Sequence, residues 1–226
     1  MKKFEKILTH IPHSSLANYY KGWIGGFNMF PVVKAYTDWH TDLLFSTKNP
    51  NVESMVFPYS RFYLDVERLI DDPLEKIGQG RIYTEFNGFE RKVSDTEVLD
   101  LERMYFDWWS GCNDKADENT LVIDCHAFTN SIAPDVDVCV GFNDDSSRPD
   151  DDMLWFITDS FREMGFNVVC NKPYSNSITF NSRHKSVMIE LNKSIYMNED
   201  TLELKISAYK VKNIIEQIYD KLTEDK

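Results

Sequence analysis

Residues 121–128 read LVIDCHAF. Leu121, Val122 and Ile123 make a continuous apolar run, the pattern of a strand buried on both faces. Asp124 and His126 interrupt it near its end. In an extended segment, residues two apart point the same way, so Asp124 can orient the His126 imidazole. In open α/β sheets, ligands bind outside the carboxyl ends of the strands. A histidine at such an end is therefore a candidate for chemistry, although taken alone it reads first as a satisfied histidine at a strand terminus.

Working outward, strands alternate with helices, which predicts an α/β class. KILTHI (Lys6–Ile11) is a short strand ending before Pro12-His13. VVKAYTDWHTDLLF (32–45) is helical at least in its second half. ESMVFPYS and RFYLDVER read as strand or extended segments, and GQGRIYTEF (78–86) as a turn followed by a strand. Ser94 and Glu97 form an S-x-x-E capping box, after which Val98, Leu101, Tyr105 and Trp108 share a helical face. Gly111 suits the stop of that helix. VDVCVGF (136–142), NVVCN (167–171) and SVMIEL (186–191) are further strands. Pro149 opens a helix through Met164, with Gly165 at its end. A last helix is expected from Asp200, capped with Glu203, to about Leu222.

The chain of 226 residues is 42% hydrophobic and carries a formal charge of −12. That supports a sizeable core in a single domain, 1–226, and makes nucleic acid an unsuitable partner. Cys112, Cys125, Cys139 and Cys170 include no C-x-x-C pair and read as reduced core thiols of a cytoplasmic protein. The opening MKKFEKILTHIPHSS has too short an apolar run for a signal peptide, and no stretch approaches a membrane span.

Several polar residues stand where such a fold keeps its site. His13, in IPHSS, follows the first strand; its imidazole suits zinc, or a hydrogen bond to Ser14 or Ser15. TDWHTDLL offers Asp38 and His40. On a helix running from Val32, His40 faces the core and Asp38 faces water. On a helix starting at Thr37, Asp38 sits in the first turn and reaches into a loop-lined site. Arg61 and Arg68, in SRFYLDVER, suit bidentate carboxylate binding or surface pairing with Asp65, Glu67 and Asp71. Glu190 shares a strand face with Met188 and Asn192. In so apolar a strand it is either an ion-pair partner or a general base. No H-E-x-x-H, P-loop or G-x-S-x-G is present.

In order, IPHSS, TDWHTDLLF, SRFYLDVER, GQGRIYTEFNG, DCHAF, NKPYS and VMIELNKSIYM resemble the signature blocks of the N-formylglutamate amidohydrolase family, from about His10 to Met197. The resemblance implies a mixed, mostly parallel sheet flanked by helices, similar to the zinc-carboxypeptidase (phosphorylase/hydrolase-like) fold. It implies a hydrolase of N-acyl amino acids, a small-molecule substrate and one zinc ion. His13 and His126 match metal ligands, Glu190 the general base, and Arg68 the substrate-carboxylate clamp, with Arg61 near the clamp or the developing oxyanion. The chain departs from related peptidases in lacking a glutamate three residues after His13. Asp38 is the candidate for that carboxylate ligand, with His40 as fallback. Glu67 precedes Arg68 where those enzymes favour asparagine, a departure that bears on the substrate. Two rival readings follow: a metallo-amidase for another small carboxylate-bearing substrate, and a carboxylate-binding module without turnover.

Overall fold

The computed structural model describes residues 2–176, 178 and 183–223. The chain forms two compact units: Met1–Ile11, Trp39–Met55 and Lys115–Lys226 make the first, and Pro12–Asp38 with Val56–Asp114 the second.

The first unit is built on a six-stranded sheet. Its strands are β1 (Lys6–Ile11), β2 (Val52–Val56), β5 (Thr120–Phe128), β6 (Val138–Gly141), β7 (Val168–Cys170) and β8 (Lys185–Asn192), in the order β2-β1-β5-β8-β6-β7. β1, β5 and β8 run parallel, β6 is antiparallel to β8, and β7 is parallel to β6. This is the α/β class that the strand pattern predicts, with the mixed, mostly parallel sheet that the family resemblance implies. Every residue of β5 is buried, Asp124 and His126 included.

The two faces of the central strands differ in chemistry. Ile7 and Ile11, Leu121, Ile123 and Cys125, and Val187, Ile189 and Leu191 join the main core with α4 (Asp151–Arg162) and α5 (Ser207–Leu222). The alternate positions carry His10, Asp124, His126 and Glu190, all buried. α4 starts at Asp151, two residues later than Pro149 suggests, because Asp150 is its N-cap, its carboxylate accepting the Met153 N–H at 2.8 Å. α5 starts at Ser207, not at Asp200. Asn198 instead accepts the Asp200 and Thr201 N–H groups, at 2.8 and 3.2 Å, and this side-chain-to-backbone turn replaces the first helical turns. Of the four free cysteines, Cys112, Cys125 and Cys139 are buried, but Cys170 is exposed and is no core thiol.

The second unit contains α1 (Phe30–Tyr36), the hairpin β3 (Glu85–Phe86) and β4 (Phe89–Glu90), and most of α3 (Asp95–Lys115). α3 runs past Gly111, burying Cys112. Ser94 caps it through the Glu97 N–H, but the Glu97 carboxylate turns to Arg91 instead of closing the box. The segment 32–45 is not one helix. α1 ends with Thr37 as its cap, His40 takes a left-handed φ of 65°, and the short α2 (Thr41–Leu44) follows in the first unit.

SRFYLDVER is neither strand nor helix; it is a chain of turns at 60–68. Its carbonyls, which lack a ladder, are paired by side chains. Trp23 and Arg91 donate to Phe62, Arg91 to Tyr63, Trp109 to Val66 and Tyr105 to Arg68, at 2.8–3.3 Å. Among the described residues, no helix is long and apolar enough to cross a membrane.

Candidate functional site

Two clusters of polar side chains stand out, one in each unit. In the second unit, the chain leaves β1 and places His13 in a buried position. Its Nε2 hydrogen-bonds Asp65 Oδ1 at 2.8 Å. Asp65 is wholly buried, and its other oxygen accepts from Arg61 Nε and Nη2, at 3.2 and 3.1 Å, and from the Tyr83 hydroxyl at 2.9 Å. Burial would raise the Asp65 carboxyl, but Arg61 and His13 hold it well below the usual carboxylate range. Burial and the charge of Arg61 depress His13; Asp65 and Asp38 outweigh them and leave it raised above an ordinary histidine. Burial and the charge of Asp65 push the Tyr83 hydroxyl up to about 12, so it stays a donor.

With Nε2 committed to Asp65, the His13 nitrogen suited to a metal is Nδ1. It faces Asp38 Oδ2 at 3.8 Å and Glu67 Oε2 at 3.4 Å. Zinc bonds of about 2.0–2.1 Å in a tetrahedron put ligand atoms about 3.3 Å apart, so these donors fit such an ion in type and spacing. Asp38 is buried and follows α1; its N–H donates to the His13 carbonyl at 3.0 Å, tying the two residues together through the backbone. It is thus neither a water-facing helix residue nor a first-turn residue, which corrects both helical alternatives. Arg68 reaches Tyr83 at 3.4 Å and lies 3.6 Å from Asp72, not paired with Asp71.

In the first unit, the sheet register puts His10 beside Asp124 and His126 beside Glu190. Asp124 Oδ1 hydrogen-bonds His10 Nδ1 at 2.8 Å and lies 3.0 Å from His126 Nε2. The contact that the two-residue spacing allows is therefore made. Burial alone would raise Asp124, but His126 and His10 draw it below the usual carboxylate range. His40, the fallback ligand, donates Nε2 to the Leu202 carbonyl at 2.8 Å.

The arrangement brings His13 together with Asp38, Arg61 and Arg68 together with Asp65, and His126 together with Glu190. Sequence reasoning passed over the roles of His10, Asp65 and Tyr83. An aspartate between Leu64 and Val66 in an apolar stretch was the available signal for Asp65.

The family model described as N-formylglutamate amidohydrolase matches residues 6–197. Among solved structures, an N-formylglutamate amidohydrolase from Ralstonia eutropha JMP134 is 17% identical with a TM-score of 0.75, over 98% of this chain and 93% of that one. A gene product of Agrobacterium tumefaciens is 15% identical with a TM-score of 0.64, over 98% and 90%. At such identities these two likenesses show a shared fold. No curated protein matches the sequence. The family model spans most of the chain: the protein belongs to the N-formylglutamate amidohydrolase family and is an amide-hydrolysing enzyme.

Proposed function

We propose that the protein hydrolyses the amide bond of an N-acyl amino acid, N-formylglutamate or a close carboxylate-bearing analogue, in the cytoplasm, with one zinc ion held by His13, Asp38 and His126. The observation that carries this reading is the His13 imidazole, with Nε2 held by a buried carboxylate and Nδ1 turned toward Asp38. A carboxylate that fixes one ring nitrogen and so orients the other is the usual support of a metal-binding histidine. Asp124 stands to His126 in a similar way. His40 is set aside as a ligand because, among the described residues, it stands in no group of side chains spaced to share an ion.

When bound, the ion supplies Lewis acidity, which polarises the scissile carbonyl and makes water nucleophilic near neutral pH. Glu190 accepts the proton of the attacking water and returns it to the leaving amine. Its place beside His126 in the sheet register supports that role. Arg61 stabilises the oxyanion, and its fixed orientation against Asp65 means little reorganisation as charge develops. Arg68 pairs with the substrate carboxylate, for which a guanidinium fork is suited. One water is consumed, and a small carboxylic acid and a free amino acid are released.

The test is Glu190→Gln, assayed on N-formyl-L-glutamate with zinc content measured in parallel. The expected result is a fall in kcat of about 10²–10⁴-fold with metal content unchanged. Turnover at the wild-type rate would remove Glu190 from the role of base.

A further inference from the structure

The block NKPYS, 171–175, follows β7 and takes no part in the hydrolysis as assigned above. We propose that residues 171–176 form the wall beside Glu190, and that Tyr174 in this wall contacts the side chain of the leaving amino acid and so determines specificity. The inference rests on the assignment of Glu190 as general base and deepens it by naming the part of the substrate that is read.

The sheet register brings the segment to Glu190. Glu190 stands beside His126 on β5 and, on its other flank, beside Cys139 on β6. Directly paired residues share a face, so His126, Glu190 and Cys139 form a row with the glutamate in the middle. Gly141 and Ser186 lie on the same face, by the two-residue period of their strands. Residues 171–176 are tied to that face. Cys139 Sγ donates to the Tyr174 carbonyl at 3.2 Å. A Cβ on Gly141 would lie 2.9 Å from the Asn176 backbone nitrogen, too close to be held, so glycine is what admits the segment here. Asn176, itself buried, donates Nδ2 to Ser186 Oγ at 2.8 Å. At the start of the segment, the Asn171 N–H donates to the Val140 carbonyl at 3.1 Å, and Asn171 Oδ1 accepts the Phe142 N–H at 2.8 Å. The chain therefore crosses the face that bears Glu190, on the flank away from His126.

Proton transfer decides which part of the substrate meets this wall. Glu190 returns its proton to the leaving amine, so that amine stands beside Glu190. The amine carries the Cα and side chain of the amino acid, which brings them within reach of residues 171–176. Tyr174 is the large residue of the wall, 43% exposed on a backbone held at its own carbonyl. An aromatic ring in such a place offers apolar contact area at a small cost in ordering.

The test compares wild type, Tyr174→Ala, Tyr174→Phe and Gly141→Ala on N-formyl amino acids that differ only in side chain, with circular dichroism confirming the fold. The quantity read is the ratio of kcat/KM for the side chain that wild type prefers to kcat/KM for N-formylglycine, which has no side chain. In Tyr174→Ala this ratio should fall about 10–100-fold, chiefly through KM. Tyr174→Phe keeps the ring and should recover most of the loss. Gly141→Ala leaves the tyrosine in place but displaces the backbone beside it, and should disturb the same ratio. An unchanged ratio in Tyr174→Ala overturns the assignment of Tyr174, while the hydrolase reading stands. Absence of turnover by wild type on every member of the series overturns the proposed function, and this inference falls with it.

Discussion

Asp65 shows how one residue can organise a site without reacting. Its two oxygens serve four partners: His13, Arg61, Tyr83 and the Glu67 backbone. A fully buried carboxylate is costly unless every lone pair is used, and here they are. Asp65→Asn keeps the shape but removes the charge that Arg61 faces. Breaking a buried pair from one side costs about 3–5 kcal/mol. We expect that loss in urea unfolding, and weakened zinc binding because the His13 ring is no longer held. Unchanged stability would mean that the Asp65 charge contributes nothing net. The sequence disclosed His13, Asp38, His126 and Glu190 as candidates because each follows, interrupts or ends an apolar element. Asp65 and Glu67 escaped because their meaning lies in partners far apart along the chain, and no local pattern announces a contact between residues 13 and 65.

At the scale of elements, β1, β5 and β8 were legible almost to the residue. Each carries a short run of β-favouring apolar residues and is buried along nearly its whole length, as a central strand of such a sheet is. Helix starts were less legible where several residues compete to cap. At α4, Pro149 and Asp150 both suit a helix entrance, and the carboxylate wins the N-cap. Asp150→Ala removes the bond to the Met153 N–H and should cost about 1 kcal/mol, within the 0.5–2 kcal/mol range of lost caps. A shift of the urea midpoint at constant m-value would report it; an unchanged midpoint would mean that water serves the N–H as well. The segment 60–68 was misread for a different reason. Its apolar residues do alternate in part, but the tryptophan, tyrosine and arginine side chains that pair its carbonyls come from residues 23, 91, 105 and 109. Propensity has no access to that information.

For the whole molecule, the acidic balance of −12 and the clustered carboxylates point the same way. Self-repulsion among like charges destabilises the compact state, and a divalent cation, if bound where Asp38, Asp65 and Glu67 gather around His13, would offset it locally. An ion that binds the native state and not the unfolded chain stabilises by mass action, about 2.7 kcal/mol at a free concentration 100 times its Kd. For a chain of this length, each kcal/mol moves Tm by roughly 2–4 °C, so saturating zinc should raise Tm by roughly 5–11 °C. A chelator should reverse the shift. Magnesium at the same concentration should produce little of it, because it demands octahedral oxygen geometry and sheds its water reluctantly. An equal response to both ions would identify general charge screening rather than a built centre. A Tm indifferent to zinc, at concentrations where the stripped protein takes it up, would mean that the ligands are no better arranged in the native state than in the unfolded chain. That outcome would contradict the positioning role assigned to Asp65, since a ring held at 2.8 Å by a buried carboxylate is preorganised only in the folded protein.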